Sequence, residues 1–337
     1  MKVSVIIPCY NEEDIIQKTY EGLVEIINAD SIKKMYDYEL IFIDDGSKDQ
    51  TISLIETYSE HDSRVKYISF SRNFGKEAAM LAGLSYCNGD AAIIIDADLQ
   101  HPPELIPEMI DYYCQGYDQV IAKRSRKGEN IARKWISRLY YRIINKVIDV
   151  ELVDGIGDFR LLSSRAIDAL KSLPEYNRFS KGLFSWIGFK EKVIEYENQK
   201  RLAGESKWNF RSLLNYGLDG LLSFNNQPLR IVVYFGFIIA LISVFYIIYT
   251  FSRIMLFGID VPGYFTTISA ILLLSGVQLI SIGIIGEYIG RIYYEVKRRP
   301  KYIIQQTNLL KENGQFGDLN SRIEMTNLVE NSEKFNR

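Results

Sequence analysis

The stretch from Ile93 to Pro103 constrains the fold of this chain more than any other. Three isoleucines are followed by Asp96-Ala97-Asp98-Leu99-Gln100, and a histidine and two prolines close the stretch. The apolar run predicts a strand buried on both faces, because no polar residues alternate with the isoleucines. Side chains at i and i+2 of a strand point the same way, so the two carboxylates lie close together. The pair indicates either a solvated strand end or a site for a hard divalent metal that carries a substrate phosphate.

The first 200 residues alternate between strand-like runs and amphipathic helical segments. The runs predicted as strands are Val3–Ile7, Glu39–Ile43, Val65–Phe70, Ala91–Ile95 and Gln119–Ala122. Segments 14–27 and 51–59 carry apolar residues three and four positions apart, as helices do. This alternation predicts an α/β fold with a mostly parallel sheet covered by helices.

Each predicted strand is followed by residues whose polar or charged side chains can bind a ligand or take part in catalysis. The segments are Pro8 to Glu12, Asp44 to Ser47, Ser71 to Lys76, Asp96 to Asp98, and Lys123 with Arg124. Because ligands of parallel sheets bind at the carboxyl ends of the strands, these segments predict one shared site. Several of these residues, Asp44 and Asp45 among them, also suit helix caps and tight turns, and that role stays open.

The C-terminal third has a different composition. Residues 231–251 and 264–286 carry no charged side chain, and each is about the 20 residues long that a bilayer crossing needs. A pair of buried helices in a soluble protein is the alternative. Basic residues at 291, 297–299 and 301 follow the second segment, so the positive-inside rule predicts cytoplasmic termini.

These patterns divide the chain into four parts. We predict a cytosolic catalytic domain over 1–205, an interfacial amphipathic segment over 206–229, and a transmembrane hairpin over 230–290. A basic juxtamembrane segment and a flexible tail occupy 291–337, and the polar tail begins at about Gln305. The segment 206–229 also suits an ordinary core helix.

Composition excludes several classes of protein. The net charge of −2 gives no reason to expect a nucleic-acid partner. Three widely spaced cysteines form no disulfide framework, which is consistent with a reducing cytosol. With two histidines in the chain, a histidine-rich metal site is excluded.

Six motifs occur in an order that resembles the family 2 inverting glycosyltransferases. They are Val5-Ile6-Ile7-Pro8-Cys9-Tyr10-Asn11-Glu12, Asp44-Asp45-Gly46-Ser47-x-Asp49, Arg72-Asn73-x-Gly75-Lys76, Asp96-Ala97-Asp98-Leu99-Gln100-x-Pro102-Pro103, Gly157-Asp158-Phe159-Arg160-Leu161 and Arg201-x-x-Gly204-x-Ser206-Lys207-Trp208. Within that family the chain is most similar to polyprenyl-phosphate hexosyltransferases, such as the bactoprenol glucosyltransferases and dolichyl-phosphate mannose synthases. The resemblance covers nearly all of residues 1–300 and implies a nucleotide-sugar-binding sheet of the GT-A type.

The resemblance implies roles for the donor side of the site. Residues expected to bind the nucleotide sugar are Pro8, Tyr10, Glu12, Asp44, Asp45, Lys76, Asp96, Ala97, Arg201 and Lys207. Asp96 and Asp98, with Gln100 as a further ligand, are expected to hold Mg²⁺ or Mn²⁺. A solvated surface position remains the alternative for Lys76.

The acceptor side rests on arginines and one further acid. Arg124, Arg133 and Arg138 are expected to hold an acceptor phosphate, because the planar guanidinium binds two oxygens. A basic face towards the membrane or solvent is the alternative for the last two. Asp98, Asp158 and Arg124 are the expected catalytic residues. A buried ion pair with Arg160 is the alternative for Asp158.

The implied activity is metal-dependent, inverting transfer of a hexose from a nucleoside-diphosphate sugar. UDP-glucose is the expected donor, and undecaprenyl or another polyprenyl phosphate is the expected acceptor at the cytoplasmic face of the cell membrane. The product would be a lipid-linked sugar for cell-envelope glycans, and the hairpin would support a homo-oligomer. The alternatives are a processive polysaccharide synthase and a non-catalytic membrane scaffold.

Overall fold

In the computed structural model, residues 1–34, 36–125, 145, 155–197, 227–257 and 263–309 are described. Their strands are β1 (Lys2–Cys9), β2 (Asp37–Asp44), β3 (Val65–Phe70), β4 (Ala91–Ile94), β5 (Gln119–Ser125), β6 (Ile156–Ser163), β7 (Glu191–Glu197) and β8 (Ile304–Thr307). Their helices are α1 (Ile16–Lys34), α2 (Thr51–His61), α3 (Lys76–Tyr86), α4 (Ile106–Cys114), α5 (Ser164–Ser172), α6 (Ser180–Trp186), α7 (Gln227–Phe257) and α8 (Tyr264–Lys297). The five predicted strands are confirmed.

The strands form one sheet in the order β7-β5-β6-β4-β1-β2-β3-β8. Strands β4, β1, β2 and β3 run parallel, so their carboxyl ends lie along one edge. Alternate residues of β1 enter two different hydrophobic cores: Val5 and Ile7 pack on one face and Ile6 on the other. Burial on both faces explains why these strands are apolar runs.

Two of the described strands, β6 and β8, run opposite to the others, and β6 is the one that shapes the site. β6 lies between β4 and β5 and is antiparallel to both, with Ile94 opposite Arg160. The beginning of β6 is therefore next to the carboxyl end of β4. This placement decides which acids meet in the site.

The two predicted apolar segments lie within long helices. Residues 231–251 fall in α7 and 264–286 in α8, which contain 31 and 34 residues. Among the residues that the structure describes, none of the helices has the length and apolarity to cross a membrane. Helix α8 also contacts the globular part, where Tyr176 donates its backbone N–H to Glu295 at 2.6 Å. The predicted interfacial segment lies outside the described residues, apart from 227–229 at the start of α7.

The prediction of a flexible tail from Gln305 is wrong for the residues up to 309. Ile304–Thr307 form β8, which pairs antiparallel with β3 at the edge of the sheet. Asn308 continues the attachment, because its side chain accepts a hydrogen bond from the Tyr67 amide at 2.8 Å and donates to the Val65 carbonyl at 3.1 Å. Backbone pairing of a polar segment gives no apolar alternation from which it could be predicted.

Candidate active site

The loop after β1 is tied to the loop after β2 by reciprocal hydrogen bonds. Asn11 donates its amide to Ser47 Oγ and accepts from the Lys48 amide, both at 2.9 Å. Asn11 has a φ of 52°, in the left-handed region that Asn tolerates better than most residues. Asp44 accepts from the Ser47 amide at 3.1 Å and from Ser69 Oγ at 2.7 Å. The turn role of Asp44 is therefore confirmed, and its donor-binding role remains a prediction.

Asp45 connects the loop after β2 to the loop after β3. Its carboxylate accepts from the backbone N–H groups of Phe74 and Gly75, at 2.6 and 2.9 Å. Burial raises the pKa of Asp45 to about 6, and the nearby Asp44 adds to this, although the two N–H donors act in the opposite direction. A Cβ on Gly46 would lie 2.4 Å from the Arg72 carbonyl carbon, so this close approach of the two loops requires glycine.

The three loops border a cavity of about 500 Å³, here called the β1–β3 cavity. Its lining is Tyr10, Asp44, Gly46, Ser47, Lys48, Ile52, Ser69, Phe70, Ser71, Arg72, Asn73, Gln305 and Gln306. Its volume falls within the roughly 300–1,000 Å³ typical of small-molecule pockets. Tyr10 offers a ring face and the polar side chains offer hydrogen bonds, which suits a planar, polar ligand.

A group of charged residues, here called the acidic centre, lies beyond the end of β4. It consists of Asp96, Asp98, Asp158 and Lys76. Ile94 pairs with Arg160 in an antiparallel ladder. Because the two chains run in opposite directions, Asp96, two residues after Ile94, lies beside Asp158, two residues before Arg160. Lys76, at the start of α3, bridges them: its Nζ lies 2.5 Å from an oxygen of each carboxylate. Two carboxylates placed side by side repel each other, and the positive charge of the Lys76 ammonium between them offsets this repulsion.

The pKa values of Asp96, Asp158 and Lys76 are shifted by their mutual contacts. Burial alone would raise the pKa of Asp96, but Lys76 and His101 outweigh it and hold that pKa well below its ordinary value. Burial likewise opposes ionisation of Asp158, and Lys76 again keeps its pKa low. Burial would lower the pKa of Lys76, yet the two carboxylates raise it far above its usual value. All three groups are therefore charged at neutral pH.

His101 and Tyr196 lie beside the acidic centre and were missed in the sequence. His101 Nε2 lies 3.5 Å from Asp96 Oδ2, and its Nδ1 lies 2.6 Å from the Tyr196 hydroxyl. Burial raises the pKa of Tyr196 to about 12, Arg124 lowers it, and the charges of Asp96 and Asp98 raise it further. The position of His101 beside the Asp96–Gln100 motif was a usable signal. Tyr196 had none, because β7 adjoins β5 only in the folded sheet.

The expected metal ligands offer oxygen atoms of the right kind. Asp98 is half-buried and accepts the backbone N–H of Gln100 at 3.1 Å. Leu99 between them has a φ of 52°, a strained conformation that is enriched at functional sites. Within the described ranges, no group of three or more His, Cys, Asp or Glu side chains could hold a metal. Asp96, Asp98 and Gln100 would offer carboxylate and amide oxygens, which are the donor atoms that Mg²⁺ and Mn²⁺ prefer.

The remaining predicted residues have different outcomes. Pro8 is buried within β1, and the Ala97 carbonyl accepts from Thr19 Oγ1 at 2.6 Å. The backbone N–H of Glu12 donates to Thr51 Oγ1 at 2.9 Å. Arg124 lies in β5, close enough to Tyr196 to affect its pKa. Four predicted residues lie outside the described residues: Arg133, Arg138, Arg201 and Lys207.

The comparison with family models covers both the sheet and the long helices. Residues 4–171 match the model described as glycosyl transferase family 2, and residues 227–292 match the GtrB C-terminal hairpin. Together with a ligand-sized cavity and an acidic centre at the carboxyl edge of the sheet, these matches define the protein as a glycosyltransferase.

Curated relatives extend this result over nearly the whole chain. The putative glycosyltransferase CsbB of Bacillus subtilis is 56% identical over 308 residues, covering 91% of this chain and 92% of that protein. The SfII prophage-derived bactoprenol glucosyl transferase of Shigella flexneri is 44% identical and covers 91% and 99%. The prophage bactoprenol glucosyl transferase homolog of Escherichia coli K12 is 42% identical, with the same coverage. The chain belongs to glycosyltransferase family 2 and carries the C-terminal hairpin of the GtrB type.

Proposed function

We propose that this enzyme transfers glucose from UDP-glucose to undecaprenyl or another polyprenyl phosphate, with inversion at the anomeric carbon. The observation that carries the proposal is the alignment of two sites along one sheet edge. The β1–β3 cavity lies at the ends of β1, β2 and β3, and the acidic centre lies at the end of β4. From β3 to β4 is three strand spacings of about 4.8 Å each, which matches an extended nucleoside diphosphate. The relatives named bactoprenol glucosyl transferases support the lipid acceptor.

The donor would lie with its base in the β1–β3 cavity and its diphosphate at the acidic centre. Asp98, Asp96 and Gln100 would hold Mg²⁺ or Mn²⁺, which would neutralise negative charge on the leaving nucleoside diphosphate. Because Lys76 pairs with Asp96, donor binding would redistribute this cation between the carboxylates and the diphosphate. Arg201 and Lys207, from the last matching motif, are proposed to bind the same phosphates.

The acceptor needs cations more than it needs a strong base. A phosphate monoester has a second pKa of about 6, so it is already nucleophilic at neutral pH. Arg124, with Arg133 and Arg138, is proposed to hold that phosphate on the face of the sugar opposite the leaving group. Asp158 would orient the acceptor, because its low pKa keeps it ionised; the same low pKa makes it a weak base for the remaining proton of the phosphate.

We further propose that the hairpin anchors the enzyme in the cell membrane, with the catalytic domain and both termini in the cytoplasm. Large apolar side chains on α7 and α8 are well exposed, including Phe237 at 69% and Leu279 at 70%. Extensive exposed apolar surface is typical of membrane or protein contacts. The basic residues at 297–299 and 301 would face anionic lipid head groups. Association of hairpins into a homo-oligomer belongs to the same proposal.

The test is a transfer assay with the full-length protein purified in detergent. It uses Mg²⁺ or Mn²⁺, undecaprenyl phosphate, and radiolabelled UDP-glucose, UDP-N-acetylglucosamine and GDP-mannose in parallel. We expect label in the lipid phase from UDP-glucose alone, and none after chelation. Label from a different donor would contradict the assigned sugar. No lipid product from any donor, with nucleotide still bound, would contradict the lipid acceptor.

A further inference from the structure

Strand β8 closes the outer side of the β1–β3 cavity, although it comes after both long helices in the chain. Gln305 and Gln306 line this cavity together with residues from the loops after β1, β2 and β3. Only residues 298–303 separate the end of α8 from β8. A segment that follows the hairpin therefore contributes directly to the proposed base-binding end of the donor site.

The pairing of β8 with β3 contains an irregularity at Gln305. Ser69 pairs with Gln306 and Phe70 with Ile304, so Gln305 has no partner in the register. An extra residue of this kind forms a bulge, and bulges beside active sites re-aim a side chain. The register accordingly singles out Gln305 on a strand that is otherwise regularly paired.

The residues around Gln305 are held firmly. Ser71 donates its backbone N–H to the Ile303 carbonyl at 3.0 Å, and Thr307 Oγ1 donates to the Tyr67 carbonyl at 2.6 Å. The ring of Tyr302 stacks on Phe70, with 4.9 Å between the centroids. These contacts on both sides of Gln305 hold the bulge at the cavity wall.

The two glutamines differ in what their amides already bind. Gln306 donates its Nε2 to Glu56 Oε1 at 2.9 Å, so it attaches β8 to α2. Gln305 is exposed and makes no side-chain hydrogen bond to another described residue. A free carboxamide presents one acceptor and two donors, and this combination can pair with the edge of a base that carries both kinds of group.

We propose that Gln305 is a specificity residue of the donor site, which reads the edge of the nucleotide base. The proposal rests on the proposed function, because it takes the β1–β3 cavity as the base-binding end. Its consequence is that base selection depends on a residue beyond the hairpin, outside the family 2 match at residues 4–171.

The experiment measures binding of UDP and GDP by isothermal titration calorimetry, using the full-length protein in detergent. We expect Gln305→Ala to weaken UDP binding about fivefold to tenfold, which corresponds to the loss of one or two hydrogen bonds. The preference for UDP over GDP should shrink by the same factor, with an unchanged melting temperature. Gln17→Ala is the matched control, because Gln17 is exposed on α1 and its side-chain amide donates to Glu21.

The outcomes separate this inference from the proposed function. If Gln305→Ala keeps both the wild-type affinity for UDP and the preference over GDP, the inference is wrong and the proposed function stands. If the wild-type protein binds neither nucleotide, the proposed function fails, and the inference fails with it. A uniform loss of affinity for both nucleotides, together with a lower melting temperature, would show a purely structural role and overturn the inference.

Discussion

The two ends of the proposed donor cleft are built from different interactions. At the β1–β3 cavity, loops are joined by hydrogen bonds to backbone groups, as in the contacts of Asp45 with Phe74 and Gly75. At the acidic centre, side chains are joined by ion pairs, with Lys76 between Asp96 and Asp158. Hydrogen-bonded loops keep their shape when a ligand enters, whereas ion pairs can exchange partners with a charged ligand. We therefore propose that the first end recognises the donor and that the second end carries out the chemistry.

The largest effect is expected from Asp98→Asn at the acidic centre. The substitution keeps the size of the side chain but removes the negative charge that the proposed metal site requires, so transfer should fall at least a hundredfold. UDP binding through the β1–β3 cavity should persist. Transfer rates and calorimetric UDP affinity, measured on the same preparation, check both statements.

The matched control for that variant is Asp37→Asn, because Asp37 is exposed at the start of β2. It should leave transfer unchanged. If Asp98→Asn transfers sugar at a near-normal rate, the proposal that chemistry takes place at the acidic centre is wrong.

Lys76→Met tests whether the ion pairs organise the acidic centre. Without the ammonium, Asp96 and Asp158 repel one another, so the pKa of one of them should rise. We expect transfer to fall about tenfold to a hundredfold at neutral pH, with the remaining activity increasing towards higher pH. Lys76→Arg should restore part of the activity, and Lys18→Met on the exposed face of α1 should have no effect. Wild-type pH dependence in Lys76→Met would contradict this arrangement.

Asp45→Asn tests the hydrogen-bonded end. The pKa of Asp45 is raised to about 6, so its carboxyl gains a proton as the pH falls through that value and becomes a weaker acceptor for the two N–H groups. Wild-type UDP affinity should therefore decrease between pH 7 and pH 5. In Asp45→Asn the affinity should be about fivefold lower at pH 7.5 and nearly independent of pH. A calorimetric pH series distinguishes these profiles, and an unchanged slope in the variant would rule out Asp45 as the titrating group.

The smallest effect concerns stability next to Lys76. Glu77 accepts hydrogen bonds from the Ser180 amide at 3.2 Å and from the Ser180 hydroxyl, which ties α3 to the start of α6. Burial raises the pKa of Glu77 to about 7, and Asp158 contributes to the increase. Between its unfolded pKa, about 4.3, and pH 7 the folded state binds more protons, so stability should fall as pH rises through this window.

Glu77→Gln should flatten that dependence, with melting temperatures differing from the wild type by a few degrees at most. Thermal melts at pH 5, 6 and 7 provide the measurement. Glu25→Gln, at an exposed position of α1, is the control. If the melting temperatures of Glu77→Gln and the wild type change with pH in the same way, Glu77 is not the source of the pH dependence.

The parallel part of the fold followed from the sequence because apolar strands buried on both faces have a clear pattern. The same pattern placed Asp44, Asp45 and Asp96 at strand ends. It could not place Asp158 against Asp96, because their meeting depends on the antiparallel insertion of β6 between β4 and β5. It also missed β8, since backbone pairing with β3 leaves no signal in a short polar segment.

The anomeric configuration of the lipid product tests the central claim most directly. Incubation of the enzyme with carbon-13-labelled UDP-glucose, undecaprenyl phosphate and Mg²⁺ should give a lipid whose sugar is resolved by NMR through the coupling of its anomeric proton. The expected product is the β-linked glucosyl phosphate, because in inverting transfer the acceptor attacks from the face opposite the α-linked leaving group. An α-linked product, or free glucose with no labelled lipid, would contradict direct inverting transfer to the lipid phosphate.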